Sequence, residues 1–232
     1  MKPRVTIWTS IVSGRGICRR PGDLGWIVGG IGVLWASTLF VDAEAVGGLE
    51  VTVFGLANDL PGSLYRPIWL LMQGGTFITI PLVAVAALLA RRVRLACEVV
   101  VAGVGVWILA KLVKDIAPRA RPGGLLDGVE LRGIGSGGRG FPSGHAAVAG
   151  ALAFVLFAFL PRGWRWVPVG LGIVVCVARV YVGAHLPLDV VGGAGLGVAA
   201  GALATLVGGV PTREAGDRQP MRSPSGEPDG GS

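Results

Sequence analysis

Two histidines occur among 232 residues, and both stand beside residues suited to phosphate. His145 closes the run Phe141-Pro142-Ser143-Gly144-His145; His185 lies six residues after Arg179 and four before Asp189. A neutral imidazole is a nucleophile or base near neutral pH, and a carboxylate bonded to one ring nitrogen leaves the other as the reactive atom. Asp189 suits that role toward His185. It equally suits the first turn of a helix that Pro187 begins, where an acid complements the helix dipole and His185 is an interfacial loop residue. Ser143 reads as an N-cap, followed by an apolar run from Ala146, so Gly144 and His145 open a helix. Such a terminus offers N–H groups to an anion, and glycine permits close approach; taken alone it is also an ordinary capped helix. Lys114 and Arg121 add two cations. A helix running through both would place them on one face about two turns apart, but Pro118 and Pro122 oppose one. Cations at this depth also serve as headgroup anchors. Arg179, inside an apolar stretch, is a functional candidate by its cost alone.

The elements that must position these residues belong to a membrane protein. Hydrophobic residues make up 52% of the chain, charged residues 15%, and mean hydropathy is +0.66. This is too apolar for a soluble domain of this length. A bilayer-crossing helix needs about 20 mostly apolar residues. Six stretches qualify, near 24–41, 68–90, 95–113, 144–160, 167–184 and 188–210, with one long loop near 114–143. The expected fold is all-α, a polytopic six-helix membrane bundle over residues 24–210. A basic cytoplasmic arm (1–23) precedes it and a polar tail (211–232), read as disordered, follows.

Lys and Arg placement orients the bundle. Thirteen of the 21 fall in segments on the N-terminal side of the membrane; the other side receives Arg66 and five in the 114–143 loop, with Lys111 and Arg179 inside spans. Both termini are expected in the cytoplasm, with the 114–143 loop outside. Arg19-Arg20, the first apolar run and Ala43-Glu44-Ala45 also mimic a signal peptide, and the stretch is read as a retained first span. The net charge of +7 is explained by this topology rather than by nucleic acid. Cys18, Cys97 and Cys176 lack C-x-x-C spacing and read as buried, inert thiols. No cluster has metal-ligand spacing, so neither a metal nor another cofactor is expected.

In this topology all three clusters emerge on one side. Lys114 and Arg121 follow span three, Ser143 to His145 precede span four, and Arg179 to Asp189 join spans five and six. The sequences KDIAPRARP (114–122), PSGH (142–145) and ARVYVGAHLPLD (178–189) resemble the tripartite signature of the type 2 phosphatidic acid phosphatases, in the lipid phosphate phosphatase and vanadium haloperoxidase superfamily: K-x6-RP, PSGH and SR-x5-H-x3-D. The spacings match throughout; the one departure is Ala178, where the family usually has Ser, which puts a supporting contact in doubt.

The resemblance implies that Lys114, Arg121 and Arg179 hold phosphate oxygens together with Ser143 and the Gly144 N–H. It implies that His185, oriented by Asp189, attacks phosphorus to give a phosphohistidine, and that His145 protonates the leaving group and then activates water. It implies a phosphorylated membrane lipid as substrate, first a polyprenyl pyrophosphate such as undecaprenyl pyrophosphate, otherwise phosphatidic acid or phosphatidylglycerol phosphate. Arg119 is an extra cation suited to a second phosphate or to a surface role. A non-catalytic lipid-binding or transport protein is the competing class, and the Gly193, Gly197, Gly201 series suits close helix packing or a homodimer.

Overall fold

The computed structural model describes residues 16–133 and 137–211. Most of the expected N-terminal arm (residues 1–15) and the expected tail from residue 212 lie outside them. Arg19–Val210 forms one compact unit. Among the described residues it has eight α-helices: α1 (Gly22–Phe40), α2 (Gly48–Asn58), α3 (Tyr65–Met72), α4 (Thr79–Leu89), α5 (Val93–Ile116), α6 (Gly144–Phe159), α7 (Trp166–Tyr181) and α8 (Pro187–Gly208).

Three helices, α1, α5 and α8, are long and apolar enough to cross a bilayer singly. The stretch expected as a single span at 68–90 is instead two helices bent by 69°. Residues Gln73–Gly75 tighten into a 3-10 turn, and the Thr76 and Thr79 hydroxyls both donate to the Gln73 carbonyl, at 2.7 and 2.6 Å. The same carbonyl accepts the Thr76 N–H at 3.0 Å, so the threonine hydroxyls reinforce the turn. α6 and α7 have 16 residues each, about 24 Å of helix, shorter than the hydrocarbon core. α2 was not expected at all.

α8 is the hub, packed against α1, α5 and α6. Of its apolar window 61% is buried inside the protein, against 39% for α5 and 17% for α1. Its many small residues let neighbouring backbones approach. A Cβ at Gly197 would stand 2.3 Å from the Ala147 carbonyl oxygen, and one at Gly195 would stand 2.8 Å from that of Gly30. The glycine series is therefore used within the chain, where α6 packs on α8. Large apolar side chains such as Trp35 on α1, Leu82 on α4, Val101 on α5 and Ile173 on α7 face outward, as a lipid-exposed surface requires. Cys97 is among the exposed residues and Cys18 and Cys176 are half-buried, so Cys97 departs from the expected buried thiol because it lies on the outer face of α5.

Candidate active site

The C-terminal ends of α5 and α7 and the N-terminal ends of α6 and α8 meet at one end of the bundle. Ser143 caps α6: its side chain accepts from the Ala146 N–H at 3.5 Å, and it is fully buried. The N–H groups of Gly144 and His145, in the first turn, have no intrahelical acceptor. α8 fixes this turn from the side, because the Ser143 N–H donates to the Asp189 carbonyl at 2.8 Å. From the other side, Gly75 in the broken span lies so close that a Cβ there would be 2.7 Å from the His145 carbonyl oxygen.

Lys114 stands in the last turn of α5, its Nζ donating to the carbonyls of Arg139 and Gly140, at 3.0 and 2.9 Å. One of its three donors remains for a ligand. The helix stops at Ile116, ahead of Pro118, so Arg121 does not share a helical face with Lys114. The loop returns it instead: Ala120 pairs with Arg139 in an isolated antiparallel bridge, and the Arg121 guanidinium lies beside Gly138.

Arg179 occupies the last turn of α7 and is buried. Its Nη1 donates to the Met72 sulfur at 3.4 Å, a weak acceptor, and its Nε has no partner among the described residues. Ala178, in the family's Ser position, is buried in an apolar cluster with Met72, Tyr181 and Val182, so its methyl packs where a serine would place a hydroxyl. The charges of Arg179, Arg121 and Lys114 all act on the His145 ring, as does His185. The three predicted clusters therefore do converge.

His185 lies in the α7–α8 connection and is buried. Its Nδ1 stands 3.5 Å from Asp189 Oδ2, the outer limit of a hydrogen bond, and the direction leaves Nδ1 without a well-aimed acceptor. Burial is the main cause that lowers its pKa to about 4, helped by Arg179 and Lys114 and opposed by Asp189. The ring is neutral at pH 7, with one nitrogen available as a nucleophile. Asp189 is in the first turn of α8, which Pro187 begins as expected, and its Oδ2 accepts the Leu186 N–H at 2.9 Å.

Arg119 corrects its sequence reading, because it is neither at the surface nor turned to a second phosphate. It is fully buried, donating from Nη1 to Asp189 Oδ1 at 3.2 Å and to Glu50 Oε1 at 3.0 Å, and from Nη2 to Glu50 Oε2 at 2.6 Å. These bonds outweigh desolvation and raise its pKa further. Glu50, from α2, was missed. A charged residue in a short, otherwise apolar helix is its one signal. Among the described residues, no group of three His, Cys, Asp or Glu side chains could hold a metal.

The profile of the PAP2 superfamily matches residues 94–211, which take in all three clusters. This chain belongs to the PAP2 superfamily. It is similar to the undecaprenyl-diphosphatase of Sulfolobus acidocaldarius, 30% identical over 155 residues that cover 63% of this chain and 72% of that one. Two solved structures share its fold. LpxE of Aquifex aeolicus superposes with a TM-score of 0.63 at 24% identity, covering 68% of this chain and 95% of that chain. A transmembrane PAP2 type phosphatidylglycerolphosphate phosphatase of Bacillus subtilis gives 0.62 at 19%, covering 80% and 95%. The chain is thus an all-α membrane phosphatase of the PAP2 type.

Proposed function

We propose that this PAP2 phosphatase removes the terminal phosphate of a polyprenyl pyrophosphate, undecaprenyl pyrophosphate first, on the extracytoplasmic face, through a phosphohistidine and without a metal. The observation that carries the chemistry is the buried, neutral His185 beside Asp189 and within the field of Arg179 and Lys114. His185 Nε2 attacks the terminal phosphorus while the bond to the bridging oxygen breaks. His145 delivers a proton to that oxygen, and lipid monophosphate leaves. A water then gives a proton to His145 and attacks the phosphohistidine, releasing inorganic phosphate and restoring His185.

Lys114, Arg121, Arg179, Ser143 and the Gly144 N–H hold the phosphoryl oxygens, and donors so placed stabilise the equatorial oxygens of an in-line transition state. Cations offset the substrate charge, which is the part a metal plays in other phosphatases. The named activity of the Sulfolobus relative favours a pyrophosphate. The face is argued from charge. At the end away from the site stand Arg91, Arg92, Arg94, Arg162 and Arg165, retained inside on insertion, whereas at the site end Lys114 and Arg119 are engaged in local structure.

The test is phosphate release by purified protein, with EDTA present, from polyprenyl pyrophosphate, phosphatidic acid and phosphatidylglycerol phosphate, with His185→Ala in parallel. The expected result is EDTA-resistant release, fastest from the pyrophosphate and absent in the variant. Preference for another lipid would overturn the substrate; full activity in the variant would overturn the nucleophile.

A further inference from the structure

We infer that Glu50 and Arg119 are positioning residues for the nucleophile, a buried relay that aims the Asp189 carboxylate at His185. This rests on His185 acting as nucleophile with Asp189 as its partner. The Asp189 carboxylate has two oxygens with different work. Oδ1 takes Arg119 Nη1 at 3.2 Å; Oδ2 takes the Leu186 N–H at 2.9 Å and faces His185 Nδ1 at 3.5 Å. Arg119 thus selects which oxygen is presented to the imidazole.

Arg119 is itself held by both oxygens of Glu50, whose Oε1 also accepts the Leu188 N–H at 2.9 Å. Glu50 therefore reaches from α2 to the first turn of α8 and fixes the turn that carries Asp189. A two-point guanidinium–carboxylate pair restricts orientation as well as position. All three side chains are buried, where an unpaired charge is costly.

The charge balance gives the relay its consequence. Asp189 and Arg119 alone sum to zero, which would leave a cationic ring unopposed; Glu50 restores one net negative charge behind His185. When Nε2 bonds phosphorus and Nδ1 keeps its proton, the ring becomes cationic, so that charge is needed most in the phosphorylated state. The phosphate-holding cations are a separate set, so loss of Glu50 should act on turnover rather than on binding.

The experiment is steady-state kinetics of the detergent-purified full chain on its lipid substrate for Glu50→Gln, Arg119→Lys, Asp189→Asn and the Glu50→Gln/Asp189→Asn double variant, with melting temperature as the folding check. Glu50→Gln is expected to lower kcat about 10- to 100-fold, by analogy with the loss seen when the partner that orients a metal-bound histidine is removed, with KM within about threefold. Arg119→Lys keeps the charge and should lose less than Glu50→Gln. In the Asp189→Asn background, Glu50→Gln should cost less than about twofold more, because coupled groups are not additive. Retained kcat in Glu50→Gln with kcat lost in Asp189→Asn would overturn the relay alone, as would a double variant in which the two losses multiply. Retained kcat in Asp189→Asn would instead overturn the underlying reading of the nucleophile. If Glu50→Gln does not fold, Arg119→Lys decides: unchanged kcat overturns the relay, and a kcat loss at constant KM supports it.

Discussion

Gly193→Ala tests whether helix packing sets the site geometry. Gly193 lies one turn beyond Asp189 on α8, and a Cβ there would stand 2.4 Å from the Ser143 carbonyl oxygen and 3.1 Å from its nitrogen. An ordinary carbon–oxygen contact is about 3.3–3.6 Å, so α8 and the start of α6 must part by roughly 1 Å. The same two segments share the 2.8 Å bond from the Ser143 N–H to the Asp189 carbonyl, which such a shift would lengthen past its useful range. Overpacking of this kind costs about 1–3 kcal/mol, and a misplacement of about 1 Å can cost on the order of 100-fold in rate. The assay pairs initial rates of phosphate release with thermal melting in detergent. Gly32→Ala and Gly105→Ala, whose added Cβ would meet nothing within 4 Å, serve as controls and should be neutral or slightly stabilising, since alanine is the better helix former. A Gly193→Ala protein with parental rate and melting temperature would refute the packing argument.

In single-turnover measurements of the phosphorylation step, His145→Ala should slow a lipid phosphate by about 10² to 10⁴ and an aryl phosphate whose leaving group needs no proton far less; equal slowing of that step for both would remove His145 as the acid. The His185 pKa near 4 sets a low acid limb. The ring is neutral and nucleophilic above that value, so protonation of His185 should cause no loss of kcat/KM, corrected for substrate ionisation, between pH 7 and 5; a fall below pH 6.5 would show an ordinary histidine. Asp127→Cys in a cysteine-free background should react with an impermeant thiol reagent from outside intact cells, and labelling only from the cytoplasmic side would reverse the orientation.

The catalytic candidates were legible because each is announced locally. Ser143 follows a proline and precedes an apolar run, Pro187 starts α8 and places Asp189 in its first turn, and Arg179 is charged within an apolar stretch. Features that depend on long-range geometry were not. Hydropathy averaged over 68–90 hides the Gln73–Thr76 break, because the threonines that satisfy the turn are themselves compatible with a span. Lys114 and Arg121 meet through a loop held by the Ala120–Arg139 bridge, which spacing does not encode. Arg119 looked like a spare cation because its partners, Glu50 and Asp189, lie 69 and 70 residues away.

On the proposed function, the distribution of acceptors explains how a cluster of cations can stay ready for an anion inside a folded protein. Lys114 is held by two neutral carbonyls and Arg179 by a thioether, so both are positioned without having their charge cancelled by an ion pair. The two buried carboxylates nearby are instead tied to Arg119, behind His185. A carboxylate placed against Arg179 would have stabilised the empty site more and then competed with the substrate phosphate. On the proposed function, separating orientation, done with neutral groups, from charge neutralisation, left to the ligand, keeps the electrostatic attraction of these cations for a phosphoryl group.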